Sequence, residues 1–568
     1  MNYEHIMFFM PVRLAYYFLN IFSLFNTSDQ SDNLPSVTYR LIRYFGIRIT
    51  HDSVREFIKS DPDFPSLKSI CNFFEAYGII NYPLRIEKNE LSDIDRPFLA
   101  HINDNGWKII LVYRINEGAV IFADSLSGKR IMSYQHLIKK WDGVIIITDT
   151  ESKAEQVDFK ARKADEIINK AIISFPFVVL FFSTVYCLLP LTYDLNEKIN
   201  LLSISIIFSH ILGLVFSILL FRNELNLKSS LSEKLCHIST NTDCEAVTKG
   251  GVSKIMGSVT WAEIGIVYFS GGLLILSVID RIEAINLIKI LSICSIPYPI
   301  FSVLYQWLKI KKWCPFCLMV QLVLMFEFAA LILRPGSHVN VSVFMVSSLV
   351  FLSILILTVL YKFHIIYKLE KDDYKIKFLK FKRDPDLFLH EFRKAGKIVL
   401  PKEDLLLTYG DLRSDIEITA FLSPYCSACS SKYFDILNLI RKESGFKIQL
   451  VLPNMKDEVT SKLLKQICFY MGAGNKEESL MLLEKWYKTD INIKQRIFNG
   501  LNAIENPAGY DEMIIQNQEL FRTGNIQRVP TILVNDFILP QMYTLEELKY
   551  HVNEIKQLIE VEMIPISQ

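Results

Sequence analysis

Six of the ten cysteines fall into three pairs. Cys236 and Cys244 lie eight apart. Cys314 and Cys317 form a CxxC in Trp-Cys-Pro-Phe-Cys, and Cys426 and Cys429 form another in Ser-Pro-Tyr-Cys-Ser-Ala-Cys. Paired thiols can close into a disulfide by losing two electrons, or exchange with another pair through a mixed disulfide. Two CxxC pairs can also supply four thiolates to a structural zinc ion. The surroundings favour exchange, because one CxxC heads an apolar stretch and the other sits between a strand-like run and a helical one. Cys236 and Cys244 admit a blander reading, a static disulfide bracing a loop. Cys187, Cys294 and Cys468 read as core thiols.

The elements that must position these pairs follow from hydropathy. The chain has 568 residues, 51% hydrophobic and only 22% charged, with a net charge of +1. That composition excludes a disordered chain and gives no sign of a nucleic-acid binder. Six apolar stretches reach the roughly 20 residues that cross a bilayer, near 171–193, 200–221, 262–279, 285–308, 315–334 and 340–361. A further apolar segment, 7–25, carries Pro11 and Arg13 and reads as an interfacial or packed helix. The domains expected are an apolar N-terminal helix (1–27), an α+β domain (28–150), and a linker with an extra membrane helix (151–199). A helical membrane core (200–334), a last span with a basic linker (335–383) and a second soluble domain (384–568) follow. Counting spans from the loop that holds Cys236 and Cys244, the third leaves that face and the fourth returns. Cys314 then emerges on the same face, and the fifth and sixth spans bring the last domain there too. Three dithiols on one face suggest a relay of exchanges.

In the last domain, IEITAFL (416–422) reads as a strand, followed by Cys426–Cys429, a helix, and the strand FKIQLVL (446–452). Val529-Pro530-Thr531 precedes a further strand. The segment resembles a thioredoxin fold with a helical insertion over 455–525, as in bacterial periplasmic thiol oxidoreductases. The N-terminus of a helix stabilises a thiolate, so Cys426 is the expected nucleophile and Cys429 the resolving thiol. The resemblance places Pro530 in cis, facing the CxxC.

The membrane part resembles bacterial vitamin K epoxide reductase homologues, over about 200–334 and on through the fused thioredoxin-like domain. The residues that carry the likeness are Cys244-Glu-Ala-Val, Gly257, Trp261 and Gly265-Ile-Val-Tyr-Phe. They continue with Tyr305-Gln306, the Cys314-Pro-Phe-Cys317 motif and Gln321. The resemblance implies a four-helix bundle around a quinone (ubiquinone or menaquinone). Electrons would pass from a substrate dithiol to Cys426–Cys429, then Cys236–Cys244, then Cys314–Cys317, with Cys317 meeting the quinone. Ser253, Trp261 and Gln321 are its other expected contacts. Two positions depart from the family: Gly250 stands where a serine or threonine is frequent, and Gln321 where some members have tyrosine.

Residues 28–150 resemble the papain-like cysteine peptidases of family C39. Asp32-Asn33-Leu34 aligns with the family's Asp-Cys-Gly, Gly106-Trp107 with its Gly-His, Asp124 with its acidic member, and Trp141-Asp142-Gly143 with its closing motif. Asn33 and Trp107 thus replace nucleophile and base, and neither can do that work. The expectation is a degenerate fold that binds rather than cuts. The alternative is a leader-peptide protease or binding component of a peptide exporter, acting through Cys71 and His101. No GxxxxGK[ST] motor motif accompanies it.

The fold class expected is therefore a multi-domain membrane protein, a helical core flanked by α+β and thioredoxin-like α/β domains. The expected function is a membrane thiol–disulfide oxidoreductase that oxidises cysteine-containing exported proteins or peptides. It would sit as a multi-pass protein among the lipids of the bacterial inner membrane. Disulfide formation suits an oxidising compartment, so the cysteine face is expected to be periplasmic. Charge points the other way. The opposite loops hold only Lys198, Arg281 and Arg334, and the positive-inside rule would make the cysteine face cytoplasmic. Much of the excess borders large domains, whose translocation depends little on charge.

Overall fold

Among the described residues, Asn33 begins the first helix, α1 (Asn33–Tyr44), followed by α2 (His51–Lys59) and α3 (Lys68–Ala76). These helices precede an antiparallel sheet. Its strands are β1 (Asn81–Arg85), β2 (Phe98–Asn103), β3 (Trp107–Asn116), β4 (Ala119–Ala123), β5 (Arg130–Ser133) and β6 (Trp141–Thr148), in the order β1-β6-β2-β3-β4-β5. A short helix, α4 (Tyr134–Lys140), joins the last two. β3, β4 and β6 fall on the apolar runs WKIILVY, AVIFADS and GVIIIT of the expected α+β domain. Phe98, Ala100, Ile110, Val112 and Val120 point into one core, and Leu99, Ile109 and Leu111 between them are buried as well, so the centre of the sheet is covered on both faces.

The structure is a computed structural model. It describes residues 33–169 except 105, 117, 126–127, 150–154 and 157, then 197–225, 227, 236, 242–248 and 254–256, and 259–563 except 335–338, 402–404, 443–444, 454–456 and 500–503. The segment 7–25, the span expected at 171–193, Cys187, Gly250, Ser253 and Gly257 lie outside the described residues. The described chain divides into two units, one of residues up to 376 and one of 377–568, with 60–62 grouped in the second.

Five helical stretches among the described residues are long and apolar enough to cross a bilayer. They are α5 (Glu197–Glu224), α7 (Trp261–Val278), the stretch 281–310, α10 (Pro315–Ile332) and α11 (Val341–Lys382), with a short α6 (Cys244–Thr248) and a two-strand ribbon, β7 (Lys254–Met256) and β8 (Val259–Thr260), between the first two. The stretch 281–310 comprises α8 (Arg281–Ser295), α9 (Pro297–Tyr305) and a π-helical turn, Gln306–Ile310. Pro297 cannot extend the hydrogen-bond ladder of α8, which is where the helix is interrupted. α5 is the most buried span (56% of its apolar window) and α11 the least (11%), so α11 lies mostly against lipid. Its 42 residues run about 63 Å at 1.5 Å each, well beyond the bilayer core. The expected last span and basic linker are thus one continuous helix.

Two devices hold the membrane helices together. Small residues let backbones approach: a Cβ on Gly213 would meet the Phe269 ring at 2.3 Å, and one on Gly272 the His210 ring at 2.1 Å. Buried polar groups then tie both of these helices to α10. Tyr268 Oη donates to Glu327 Oε1 at 2.6 Å, and His210 Nδ1 lies 3.7 Å from Glu327 Oε2.

The second unit carries α12 (Pro385–Lys394), β9 (Thr408–Gly410), β10 (Glu417–Phe421), α13 (Ser427–Lys442) and β11 (Lys447–Val451). Four helices follow, α14 (Glu458–Gly472), α15 (Lys476–Lys488), α16 (Ile491–Phe498) and α17 (Tyr510–Thr523), then β12 (Thr531–Val534), β13 (Phe537–Ile538) and α18 (Val552–Met563). The sheet order is β13-β12-β10-β11-β9, with β10 and β11 parallel and the other pairs antiparallel. The β10-α13-β11 crossover with an antiparallel β12-β13 hairpin is the arrangement expected of a thioredoxin-like fold, and α14 to α17 form its helical insertion.

Candidate functional site

Both CxxC motifs stand at a helix start, for the same local reason. The first cysteine takes the N-cap place, and its sulfur receives an amide that has no partner inside the helix. Cys314 caps α10 and accepts from Cys317 N at 3.3 Å, with Pro315 in the first helical position. Cys426 precedes α13 and accepts from Cys429 N at 3.3 Å.

In the membrane unit, Cys236 and Cys244 form a disulfide with Cα atoms 5.4 Å apart. Their loop is pinned to the CxxC. Thr242 bridges to Trp313, Asp243 N donates to Trp313 O at 3.0 Å, and Lys312 Nζ lies 3.7 Å from Asp243. All four cysteines belong to one buried cluster, and Cys314 and Cys317 are free thiols. Cys314 adjoins the residue that carries the loop. Cys317 instead lines a cavity of about 60 Å³, together with Leu220, Val247, Trp261, Tyr298, Phe301 and Ser302. Trp261 and Tyr298 stack with ring centroids 4.4 Å apart. Apolar and aromatic walls beside a sulfur suit the flat ring of a quinone. Phe301, on the lipid-facing α9, keeps 44% of its surface exposed.

Trp261 and Cys317 therefore share one cavity. Gln321 does not line it. Its Nε2 donates to Ser302 Oγ at 2.6 Å, and Ser302 is a wall of the cavity. Tyr298, Ser302 and Glu224 were missed in the sequence. They lie on helices whose only legible signal is apolarity. Glu224 also lines the cavity and pairs with Lys362 of α11 at 3.3 Å; Lys362 reaches Glu263, in the first turn of α7, at 3.2 Å.

In the second unit, Cys426 is half-buried and Cys429 fully buried. Burial pushes the Cys429 thiol up to about 12, which keeps it protonated until its partner has reacted. The Val529–Pro530 peptide is cis, and Cys426 Sγ lies 3.8 Å from Val529 O. The loop before Cys426 is clamped by the helical insertion. Trp486 Nε1 and Lys494 Nζ both donate to Pro424 O, at 2.7 and 3.1 Å, and Tyr487 Oη donates to Ser423 O at 3.3 Å. Cys468 is buried, as expected. Cys294 is exposed on a membrane helix, where apolar surface faces lipid rather than a core.

In the N-terminal domain, Asn33 heads α1 and grips β3. Its Nδ2 donates to Ile109 O at 3.0 Å and its Oδ1 accepts from Ile109 N at 2.7 Å. Nδ2 also lies 3.4 Å from Ser125 Oγ. Asn33 thus bonds Ile109, two residues past Trp107, and approaches Ser125, which follows Asp124. Trp107 is 62% exposed and stacks on His101, which bonds Asp142 at 2.6 Å. Among the described residues no histidine bonds Cys71, and burial raises its thiol above the ordinary range, against the needs of a nucleophile.

Two segments of the chain match known families. A model of the Vitamin K epoxide reductase family matches residues 204–332, and one of the Peptidase C39 family matches residues 22–153. The chain thus carries a domain of each kind. No curated protein matches it. Among solved structures, the peptidase domain of Streptococcus ComA, a bi-functional ABC transporter involved in a quorum-sensing pathway, is 19% identical. It covers 23% of this chain and 95% of that one, with a TM-score of 0.20. The catalytic domain of Proteus mirabilis ScsC is 15% identical, covering 30% and 99%, at 0.24. Oxidised BdbD from Bacillus subtilis is 16% identical, covering 30% and 96%, at 0.21.

Proposed function

We propose that this multi-pass membrane protein oxidises dithiols of exported proteins and delivers the electrons to a quinone. The observation that carries the reading is the pinning of the Cys236–Cys244 loop onto Trp313, beside a CxxC whose second sulfur opens on an aromatic cavity. A substrate thiolate opens an oxidised Cys426–Cys429 bond at Cys426, and the second substrate thiol resolves that mixed disulfide, which leaves both cysteines reduced; Cys429 resolves the later mixed disulfide that Cys426 forms with the loop pair. The reduced CxxC then reduces Cys236–Cys244. A thiolate of that loop pair attacks Cys314 of an oxidised Cys314–Cys317 bond, and the second loop thiolate resolves the product. The loop disulfide re-forms and two electrons rest on Cys314 and Cys317. A quinone in the cavity supplies the two-electron acceptor. Trp261 flanks its place and Cys317 meets it; Gln321 acts through Ser302. Pro530 lines the approach to Cys426. The N-terminal domain, with Asn33 engaged in holding β3, serves as a binding module for cysteine-containing peptides.

Purified protein given a reduced peptide should reduce ubiquinone or a menaquinone analogue. Cys317→Ala should abolish that reduction while leaving exchange between the peptide and Cys426 intact. Undiminished quinone reduction by Cys317→Ala would overturn the assignment.

A further inference from the structure

Two phenols line the cavity beside Cys317, Tyr298 and Tyr305; Tyr298 is the one stacked on Trp261, and the hydrogen bonds beside it are directional. Cys314 N donates to Gln306 Oε1 at 2.8 Å. That bond fixes the amide, so Gln306 offers its Nε2, which donates to Ser302 Oγ at 3.2 Å. Gln321 Nε2 donates to the same oxygen at 2.6 Å. A serine hydroxyl has two acceptor sites and one proton. With both acceptor sites filled, Ser302 has only its proton left to give, and Tyr298 stands one helical turn before it on α9. A proton given by Ser302 to the Tyr298 oxygen would leave the phenol's own proton for a ligand in the cavity. The stacking of Tyr298 on Trp261 holds the ring in the cavity wall, within electrostatic reach of Cys317.

We propose that Tyr298 is a catalytic residue, the hydrogen-bond and proton donor to a quinone carbonyl oxygen, and that Ser302 positions it. The proposal rests on the quinone-reducing function above. It also gives a physical account of Gln321. The side chain four residues past Cys317 supplies no phenol itself, but through Ser302 it orients one from the neighbouring helix. The chemistry balances. As the Cys314–Cys317 bond forms, two electrons and two protons leave the thiols, and two electrons and two protons convert the quinone to the hydroquinone. Tyr298 hands its phenol proton to one oxygen and regains one of the thiol protons.

The test uses the full-length protein with Tyr298→Phe, which keeps the ring and its stacking. Oxidised wild-type and variant proteins are titrated with menadione, and binding should weaken up to about ten-fold, the size of one lost hydrogen bond. Under turnover the kcat should fall about 100-fold or more, as expected when a proton donor is removed. Alkylation of quenched samples should find Cys314 and Cys317 accumulating as thiols, since electrons still arrive. Ser302→Ala should give a smaller kcat loss with the same accumulation. Wild-type binding, turnover and thiol state in Tyr298→Phe would overturn the proposal and leave the proposed function standing. Failure of the wild-type protein to reduce any quinone would instead sink that function.

Discussion

Asn33 shows how one residue turns a site into a structural element. Its carboxamide both donates to and accepts from the backbone of Ile109, a pairing that a thiol cannot make. Asn33→Ala should leave that buried amide unsatisfied and cost about 2 kcal/mol, read as a loss of hydrogen-exchange protection in β3. Asn33→Cys restores a thiol at the aligned position but no base, because Trp107 cannot take its proton. Cleavage of a leader peptide by Asn33→Cys would refute the reading of a non-catalytic domain. Cys429 makes the complementary point. Its folded-state thiol titrates at about 12, above the ordinary value near 8.5. The unfolded chain therefore ionises first as pH rises. The stability this thiol contributes is intact below about pH 8.5 and is lost progressively towards pH 12. Reduced protein should lose protection in β10 and α13 over that window, and Cys429→Ala should flatten the dependence.

Elements are held by features that differ between the two units. In the membrane unit α5 and α7 meet through glycine. Gly272→Ala would drive a methyl group to within 2.1 Å of the His210 ring, an overpacking that costs about 1–3 kcal/mol. The expected result is a lower melting temperature in detergent, with Gly213→Ala behaving alike. In the second unit α12 packs Phe388 flat on His551, with centroids 3.9 Å apart and planes 2° from parallel. Burial pushes this imidazole down to about 4. The unfolded chain accepts a proton near pH 6.5 that the folded one refuses until about pH 4, so stability falls as pH drops through that interval. The loss approaches about 3 kcal/mol at 1.36 kcal/mol per unit. Hydrogen exchange of α12 in the intact protein should accelerate from pH 6.5 to 4, and His551→Phe should abolish the trend. An unchanged slope in His551→Phe would assign the effect to another group.

At the scale of the whole molecule, connectivity is the argument for a relay. α5 ends and α7 begins at the loop of Cys236 and Cys244, and α10 begins at Cys314. Successive spans alternate in direction, so α11 returns the chain to that face before the second CxxC. The proposed function expects that face to be periplasmic, against the bias of lysine and arginine. Reporter fusions after residues 150, 230 and 400 should give extracytoplasmic signals at 230 and 400. Cytoplasmic signals at both would reverse the orientation.

Most of the architecture was legible because its signals are local. Twenty apolar residues must span a bilayer, alternation marks a sheet, and a CxxC between a strand and a helix takes the N-cap. The six paired cysteines and Trp261 were named from type, spacing and resemblance. What sequence could not supply were relations between residues distant in the chain. The grip of Asn33 on Ile109 spans 76 positions. The stack of Tyr298 on Trp261 and the turning of Ser302 by two glutamines join separate helices. Inside a membrane bundle nearly every residue is apolar, so the pattern says which segments cross but not which faces meet. Only the packed structure decides which polar groups, once cut off from water, find one another.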